Sequence, residues 1–225
     1  MTLIINKRNL KTFSSSEIVT KLKTTKKGYK TMKKKTVEVL TTEKLGAITR
    51  EYNKKVVEDG TAPYTGWTGT NRKAGATDSE IKTAILAELK KNGIQATARQ
   101  RGTYITALTF TVKVPKEFQV TETEYIEAEM KKRFNRRYFW MVPDGDTIRN
   151  DELYNLPMDE INAIKAYTFK REYQRAIENK DGETVKPEYI EAVKAIVNSF
   201  NADHSDTMTD YFDRAIYDNY KWKIA

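Results

Sequence analysis

The stretch that decides the fold is residues 78–114, DSEIKTAILAELKKNGIQATARQRGTYITALTFTVKV. A capping box precedes it, because Thr77 is followed three positions later by Glu80. Asn92-Gly93 then supplies a typical helix end. The pattern between these signals predicts a helix, and its expected buried stripe is Ile81, Ile85 and Leu89.

The second half of this stretch predicts a long β-hairpin near residues 94–114. One strand is expected from Ile94 to Gln100, a turn at Arg101-Gly102, and Pro115 ends the second strand. Alternate residues of the second strand are expected to share one buried face, and they are Tyr104, Thr106, Leu108, Phe110, Val112 and Val114.

Periodicity on both sides of this unit predicts more helices and a few strands. Helices are expected from Thr42 to Asp59, Thr121 to Arg137, Pro157 to Asn179 and onward from Pro187, and a closing strand from Tyr220 to Ile224. This order of elements predicts the α+β class, with helices packed on small antiparallel sheets.

The same signals divide the chain into three parts. Residues 1–60 are expected to form a basic N-terminal α/β region. Residues 61–77 contain Gly66, Gly69 and Gly75 and are expected to be a glycine-rich loop or linker. Residues 78–225 then form the domain that contains the helix and the hairpin.

Composition excludes several classes of chemistry. The chain has 225 residues, of which 39% are hydrophobic, enough to build a core. It has no cysteine, which excludes disulfides, thiol nucleophiles and thiolate zinc sites. A single histidine excludes a multi-histidine metal centre within one chain. We therefore expect a non-enzymatic protein with no metal and no cofactor.

Neither a membrane span nor a signal peptide is expected. The longest apolar stretches have four or five residues, whereas a membrane helix needs about 20. The N-terminus places Lys7 and Arg8 behind the short run Leu3-Ile4-Ile5, which is unlike a signal peptide. The expectation is a soluble cytoplasmic protein, located in the host cytoplasm if a phage encodes it.

Positive charge is concentrated in the first half of the chain. The formal net charge is +9, with 24 basic and 10 acidic residues in 1–120 against 16 and 21 in 121–225. Such an asymmetry indicates a surface that faces a polyanion or self-complementary packing, whereas an ordinary solvated face is the alternative for a run of lysines. The densest run contains eight lysines and no acid: Lys21, Lys23, Lys26, Lys27, Lys30, Lys33, Lys34 and Lys35.

Four arginines outside this run are further candidates for contact with nucleic acid. Arg99 and Arg101 lie at the hairpin tip, where a basic ribbon can enter a groove, although a solvated turn is the favoured interpretation. Arg136 and Arg137 precede Tyr138-Phe139-Trp140, whose rings can stack on bases. A buried strand is the favoured interpretation of that triplet.

Two segments resemble catalytic or metal-binding patterns. Asp203-His204-Ser205-Asp206, with Asp210 and Asp213 downstream, brings one histidine to several carboxylates. Helix capping and surface charge also explain these residues, and we favour this structural interpretation over a catalytic or metal site. Glu129-Met130-Lys131 matches the core of a nuclease motif but falls on a predicted helix rather than a strand, so we reject it.

The glycine-rich segment offers one pattern for binding phosphate. Gly66-Trp67-Thr68-Gly69 is followed by Arg72 and Lys73, and glycines allow phosphates to approach backbone amides. The Walker pattern is absent from the chain, so an ordinary loop is the favoured interpretation.

Residues 78–114 resemble the helix-and-hairpin opening of the large polyvalent protein associated domains of phages and conjugative elements. VKAIVNSFNADHSDTMTDYFD, residues 193–213, and IYDNYKW, residues 216–222, resemble the later part of that family. The resemblance covers about 78–114 and 190–222 and implies that about 116–186 is an insertion. It implies a mobile-element accessory protein and carries over no catalytic residue.

The first functional hypothesis combines this resemblance with the charge distribution. It is a non-enzymatic accessory or anti-defence protein of a phage or plasmid, similar to an anti-CRISPR inhibitor, that binds a host nucleoprotein complex, DNA or RNA. One alternative is a nuclease or nucleotide-modifying enzyme that uses His204 or the acidic C-terminal residues. Another is a structural or DNA-packaging module.

Overall fold

The structure is a computed structural model, and it describes residues 39–59, 66–101, 107–132, 137–204 and 216–225. Several sequence predictions lie outside the described residues: those for Lys21 to Lys35, for the side chain of Arg101, for residues 102–106 including Tyr104 and Thr106, for Arg136 and for residues 205–215.

The described residues form six α-helices, two short 3-10 helices and eight strands. In chain order they are α1 (Thr42–Asn53), β1 (Val56–Asp59), β2 (Gly66–Gly69), α2 (Asp78–Lys91), β3 (Ala96–Arg101), β4 (Ala107–Val114), a 3-10 helix (Lys116–Phe118), α3 (Glu122–Lys131), β5 (Phe139–Met141), β6 (Thr147–Arg149), α4 (Asn150–Leu153), α5 (Met158–Asn179), a 3-10 helix (Gly182–Thr184), α6 (Pro187–Asn198), β7 (Ala202–Asp203) and β8 (Tyr217–Ile224).

The helix and hairpin expected in residues 78–114 are present. Thr77 caps α2, and its backbone N–H donates to the Glu80 carboxylate, which completes the capping box. β3 and β4 pair antiparallel, with Ala98 opposite Phe110. The predicted α+β class is confirmed, and the described side chains of both predicted faces are buried: Ile81, Ile85, Leu89, Leu108, Phe110, Val112 and Val114.

The hairpin belongs to a mixed sheet rather than an antiparallel one. The closing strand β8 lies beside β4 and runs parallel to it, with Tyr220 opposite Phe110. Parallel neighbours need a long crossover connection, and the chain between Val114 and Tyr217 is long enough to supply it. The expectation of purely antiparallel sheets is therefore corrected at this edge.

A second three-stranded sheet forms where the sequence predicted the end of a helix and a loop. α1 ends at Asn53 instead of near Asp59, because Val56–Asp59 forms β1. β2, which lies in the segment expected to be a glycine-rich loop, is the central strand between β1 and β7. The β-branched pair Val56-Val57 favours a strand, although Val56 also fits the helical spacing of α1.

The main core joins residues from both sides of the glycine-rich segment. Leu45, Ile48 and Tyr52 of α1 are buried in the same cluster as Ile85 of α2 and Val193 of α6. The division of the chain at residues 61–77 stays a prediction, and the described residues on its two sides share one core.

A smaller second core lies within residues 116–186. It is built from Tyr125, Trp140, Leu153, Ile161, Phe169 and Tyr173. α3, expected to continue to Arg137, ends at Lys131. The backbone of the next residue, Lys132, is extended and cannot continue the helix. No helix in the described ranges is both long and apolar enough to cross a membrane.

Candidate nucleic-acid interface

Arg137 is part of the second core. Its guanidinium forms a two-point ion pair with the Glu172 carboxylate. It also lies 5.4 Å and 5.2 Å from the ring centroids of Trp140 and Phe169. The hydrogen bonds to Glu172 raise the pKa of Arg137 above its usual value. Since its charge is neutralised inside the protein, Arg137 has a structural role that the sequence did not indicate.

The aromatic triplet divides between core and surface. Trp140 is fully buried, its ring lies 5.7 Å from that of Phe169, and its N–H donates to Asn150 at 2.8 Å. Tyr138 and Phe139 are 85% and 60% exposed. The expected buried strand is therefore wrong for two residues of the three: Phe139 lies on the face of β5 opposite to that of Trp140, and Tyr138 precedes β5.

The covered face of this small sheet is held by α5. The hydroxyl of Thr168 accepts from the Met141 backbone N–H at 3.0 Å and donates to the Met141 carbonyl at 3.1 Å. Thr168 is itself buried. These contacts fix β5 on the helix, so the exposure of Phe139 follows from the alternation of the strand.

Arg149 lies directly opposite Phe139 in the ladder of β5 and β6. Side chains at opposed positions project from the same face and lie close together. Arg149 also forms an ion pair with Asp151 at 2.9 Å, and these two side chains are 62% and 65% exposed. An exposed pair of this kind contributes about 0–1 kcal/mol, so a phosphate can compete for the guanidinium.

A second cation lies beside the same strand. The Nζ of Lys165 is 5.6 Å from the ring centroid of Trp140 and 4.8 Å from that of Tyr154, whose side chain is 58% exposed. Two cations and three exposed aromatic rings thus lie on or near the small sheet: Phe139 and Arg149 on its open face, Tyr138 just before β5, and Tyr154 and Lys165 on the side of Trp140. We call this set the aromatic–cationic surface, and its members are Tyr138, Phe139, Arg149, Tyr154 and Lys165.

Sequence reasoning identified only the aromatic triplet of this surface. Lys165 carries a signal that was missed, because it lies four residues after Ile161 and three before Thr168, both of which are buried on α5. A cation on the buried stripe of an amphipathic helix indicates a nearby aromatic or anionic partner. Arg149 and Tyr154 carry no comparable signal, since strand pairing places Arg149 and Tyr154 lies at the C-terminal end of α4.

The hairpin arginines lie on a different sheet. Arg99 is exposed on the edge strand β3, opposite Thr109. The backbone of Arg101 pairs with Ala107 at the end of β3, and the tip at residues 102–106 lies outside the described ranges. The structure therefore does not unite these arginines with the aromatic–cationic surface.

In the described part of the chain, the residues of the catalytic alternatives are not arranged as a catalytic or metal-binding site. His204 is exposed after β7, with its Nε2 3.4 Å from the Thr68 hydroxyl. Within the described ranges, no cluster of three or more His, Cys, Asp or Glu side chains is placed to hold a metal ion. Glu129 lies on α3 and pairs with Lys132, which agrees with rejecting a nuclease motif there.

The glycines of Gly66-Trp67-Thr68-Gly69 have a packing role. A Cβ atom on Gly69 would lie 2.3 Å from the Ser199 backbone, and one on Gly66 would lie 2.2 Å from the His204 ring. β2 can therefore approach its neighbours only where side chains are absent. Because this backbone pairs within a sheet, it does not form the phosphate clamp that the pattern suggested.

Comparisons with protein-family models, with curated proteins and with solved structures find no match for this chain. The resemblance of residues 78–114 and 190–222 to the large polyvalent protein associated domains stays a prediction from the sequence.

Proposed function

We propose that this protein is a non-enzymatic accessory protein of a phage or plasmid that binds nucleic acid, either free or within a host nucleoprotein complex. Its biological role would be anti-defence, as in the inhibition of a CRISPR effector in the host cytoplasm. The observation that supports nucleic-acid binding is the aromatic–cationic surface. The mobile-element origin rests on the resemblance of residues 78–114 and 190–222.

Two adjacent exposed rings suit the stacking of unpaired bases. Tyr138 and Phe139 expose most of their surface to water. Exposed apolar ring surface is unfavourable in water, and a base stacked on it would remove that surface from water. Stacking of one base on an aromatic side chain contributes about 1–3 kcal/mol and tolerates any sequence. The surface therefore favours single-stranded nucleic acid with weak sequence preference.

The cations of the surface suit the phosphates that accompany those bases. Arg149 shares a face with Phe139, and Lys165 lies beside Trp140 and Tyr154. The formal net charge of +9 adds a long-range attraction for a polyanion, which speeds its encounter with the protein. Phosphate contacts supply affinity while the rings select unstacked bases.

Binding of a fluorescein-labelled 20-nucleotide oligothymidylate, measured by anisotropy, tests the proposal. The double variant Tyr138→Ala, Phe139→Ala should bind about 5- to 150-fold more weakly, which corresponds to the loss of one stacked base. The matched control is Val57→Ala, which shortens an exposed apolar side chain on β1, in another sheet.

The same measurement on duplex DNA shows whether the loss of affinity is specific to single-stranded nucleic acid. The double variant should lose less affinity for the duplex, whose bases are already stacked. If wild type and double variant bind oligothymidylate equally, or if the wild type binds neither ligand, the proposed surface is wrong.

A further inference from the structure

A cavity of about 420 Å³ lies between the turn after β2 and the first turns of α2. Its polar side is formed by Asn71, Arg72 and Lys73. Its apolar side is formed by Ile81, Ala84 and Phe200. Small-molecule sites in proteins have this size and this combination of an apolar wall with a few polar groups.

The backbone around Arg72 is fixed on both sides. The N–H of Asn71 donates to the Ser199 carbonyl at 2.9 Å, and that of Arg72 donates to the Gly69 carbonyl at 3.0 Å. A turn follows, closed by the Ala76 N–H on the Lys73 carbonyl at 3.2 Å, and its third residue, Gly75, has a φ of 74°. The cavity wall is therefore preformed.

One nitrogen of the Arg72 guanidinium lacks an acceptor among the described residues. Its Nη1 atom is buried, and no residue of the described ranges accepts a hydrogen bond from it. A buried donor without an acceptor costs free energy, so native proteins rarely keep one without a reason. Arg72 also lines the cavity, so a rotation of its guanidinium toward that space would offer this donor to an anion there.

The charge balance of the cavity favours an anion. Arg72 and Lys73 contribute two positive charges, and Glu80 contributes one negative charge. Glu80 is already engaged, because its carboxylate accepts from both the N–H and the hydroxyl of Thr77 at 2.8 Å. These hydrogen bonds, first of all the one from the Thr77 backbone, lower the pKa of Glu80. One positive charge remains in excess.

We propose that this cavity binds a small organic anion, with its charged group at Arg72 and Lys73 and its apolar body against Ile81, Ala84 and Phe200. The site is independent of the aromatic–cationic surface. A guanidinium binds phosphate and carboxylate groups through paired N–H donors, and the apolar wall selects a ligand that carries more than the bare ion.

Titration of the full chain with phenyl phosphate, inorganic phosphate and phenol, followed by amide NMR shifts, tests the proposal. Phenyl phosphate should bind at least tenfold more tightly than either fragment and should shift the amides of residues 71–76 and 81–84. Arg72→Gln should weaken phenyl phosphate at least tenfold and leave phenol unchanged. The matched control is Arg171→Gln, an exposed arginine on α5, which should change neither affinity.

The stability of the ligand-free protein separates a binding role from a structural one. Since Nη1 has no acceptor, Arg72→Met should leave Tm unchanged or raise it, whereas a structural Arg72 would lower Tm on substitution. If Arg72→Gln fails to fold, the test is the Tm of the wild-type protein with each probe. Phenyl phosphate must then raise this Tm more than inorganic phosphate and phenol do. Equal affinities for the three probes, no binding, or a lowered Tm in Arg72→Met would overturn the proposal.

Discussion

Arg137 and Glu172 meet in the second core through two parallel hydrogen bonds between guanidinium and carboxylate, each side chain only 25% exposed. Arg137→Gln would leave Glu172 half-buried with a weaker partner. We expect the free energy of unfolding to fall by about 1–3 kcal/mol, measured by urea denaturation. Affinity for oligothymidylate should change little, because Glu172 already neutralises this guanidinium.

Arg149→Gln is the matched control and should show the reverse behaviour. Its ion pair with Asp151 is exposed, so the free energy of unfolding should change by less than about 0.5 kcal/mol. Affinity for oligothymidylate should fall, since Arg149 shares a face with Phe139. A stable Arg137→Gln variant that no longer binds would reverse both assignments.

The lysine run from Lys21 to Lys35 predicts a salt-dependent contribution to binding. If about five lysines neutralise phosphates, a log–log plot of affinity for duplex DNA against salt should have a slope near −4 to −5. The triple variant Lys33→Glu, Lys34→Glu, Lys35→Glu should flatten that slope by about three.

A control with the same change in charge shows whether position matters. Three exposed lysines of the described part serve for it, in the variant Lys116→Glu, Lys221→Glu, Lys223→Glu. Its salt slope should stay closer to that of the wild type. Identical slopes for the wild type and the Lys33–Lys35 variant would show that the run is an ordinary solvated face.

The close packing around Gly69 predicts that one added methyl group there would strongly destabilise the fold. A Cβ on Gly69 would lie 2.3 Å from the backbone of Ser199, which cannot move without displacing β2 from its neighbours. Gly69→Ala should lower the free energy of unfolding by about 1–3 kcal/mol or more. Gly46→Ala, in the middle of α1 with its nearest contact at 3.4 Å, should instead raise it by about 0.5–1 kcal/mol. Equal thermal stability of the two variants would contradict this packing.

The capping boxes at the start of α2, formed by Thr77 with Glu80, and of α3, formed by Thr121 with Glu124, account for part of the expected acid sensitivity of the fold. Hydrogen bonds from the backbone of Thr77 and of Thr121 lower the pKa of Glu80 and of Glu124 below their usual values. A lowered pKa in the folded state stabilises the protein above the unfolded-state pKa, and this stabilisation is lost as pH falls through the folded-state pKa.

Chemical denaturation between pH 6 and pH 3 measures this contribution, a window that brackets the unfolded-state pKa of about 4.3. The variant Glu80→Gln, Glu124→Gln should lose less stability over that window than the wild type. An unchanged pH dependence in the variant would show that other carboxylates cause the loss of stability at acid pH.

Local signals were sufficient for the helix and the hairpin of residues 78–114. A capping box fixes where α2 starts, and its apolar spacing fixes which face is buried. Strict alternation fixes the buried face of β4 in the same way. These properties depend on neighbours within a few residues, so the sequence determines them alone.

The candidate surface illustrates what local signals leave open. The sequence shows three consecutive aromatics at Tyr138-Phe139-Trp140, and alternation states only that adjacent side chains point to opposite faces. Which face is covered depends on α5, whose Thr168 and Phe169 pack against Met141 and Trp140. The exposure of Phe139, which lies on the uncovered face, is therefore a tertiary property, whereas Tyr138 precedes β5 and its exposure does not follow from alternation.

The sequence by itself determined the α+β class, the helix and hairpin, and the alternation of the closing strand. Only the tertiary structure decided that β8 runs parallel to β4, that Glu172 neutralises Arg137, and that Arg72 lines a cavity while its buried Nη1 has no acceptor among the described residues. The physical reason is that the period of a strand or helix specifies a face, whereas strand direction, ion pairing and cavities depend on partners distant in the chain.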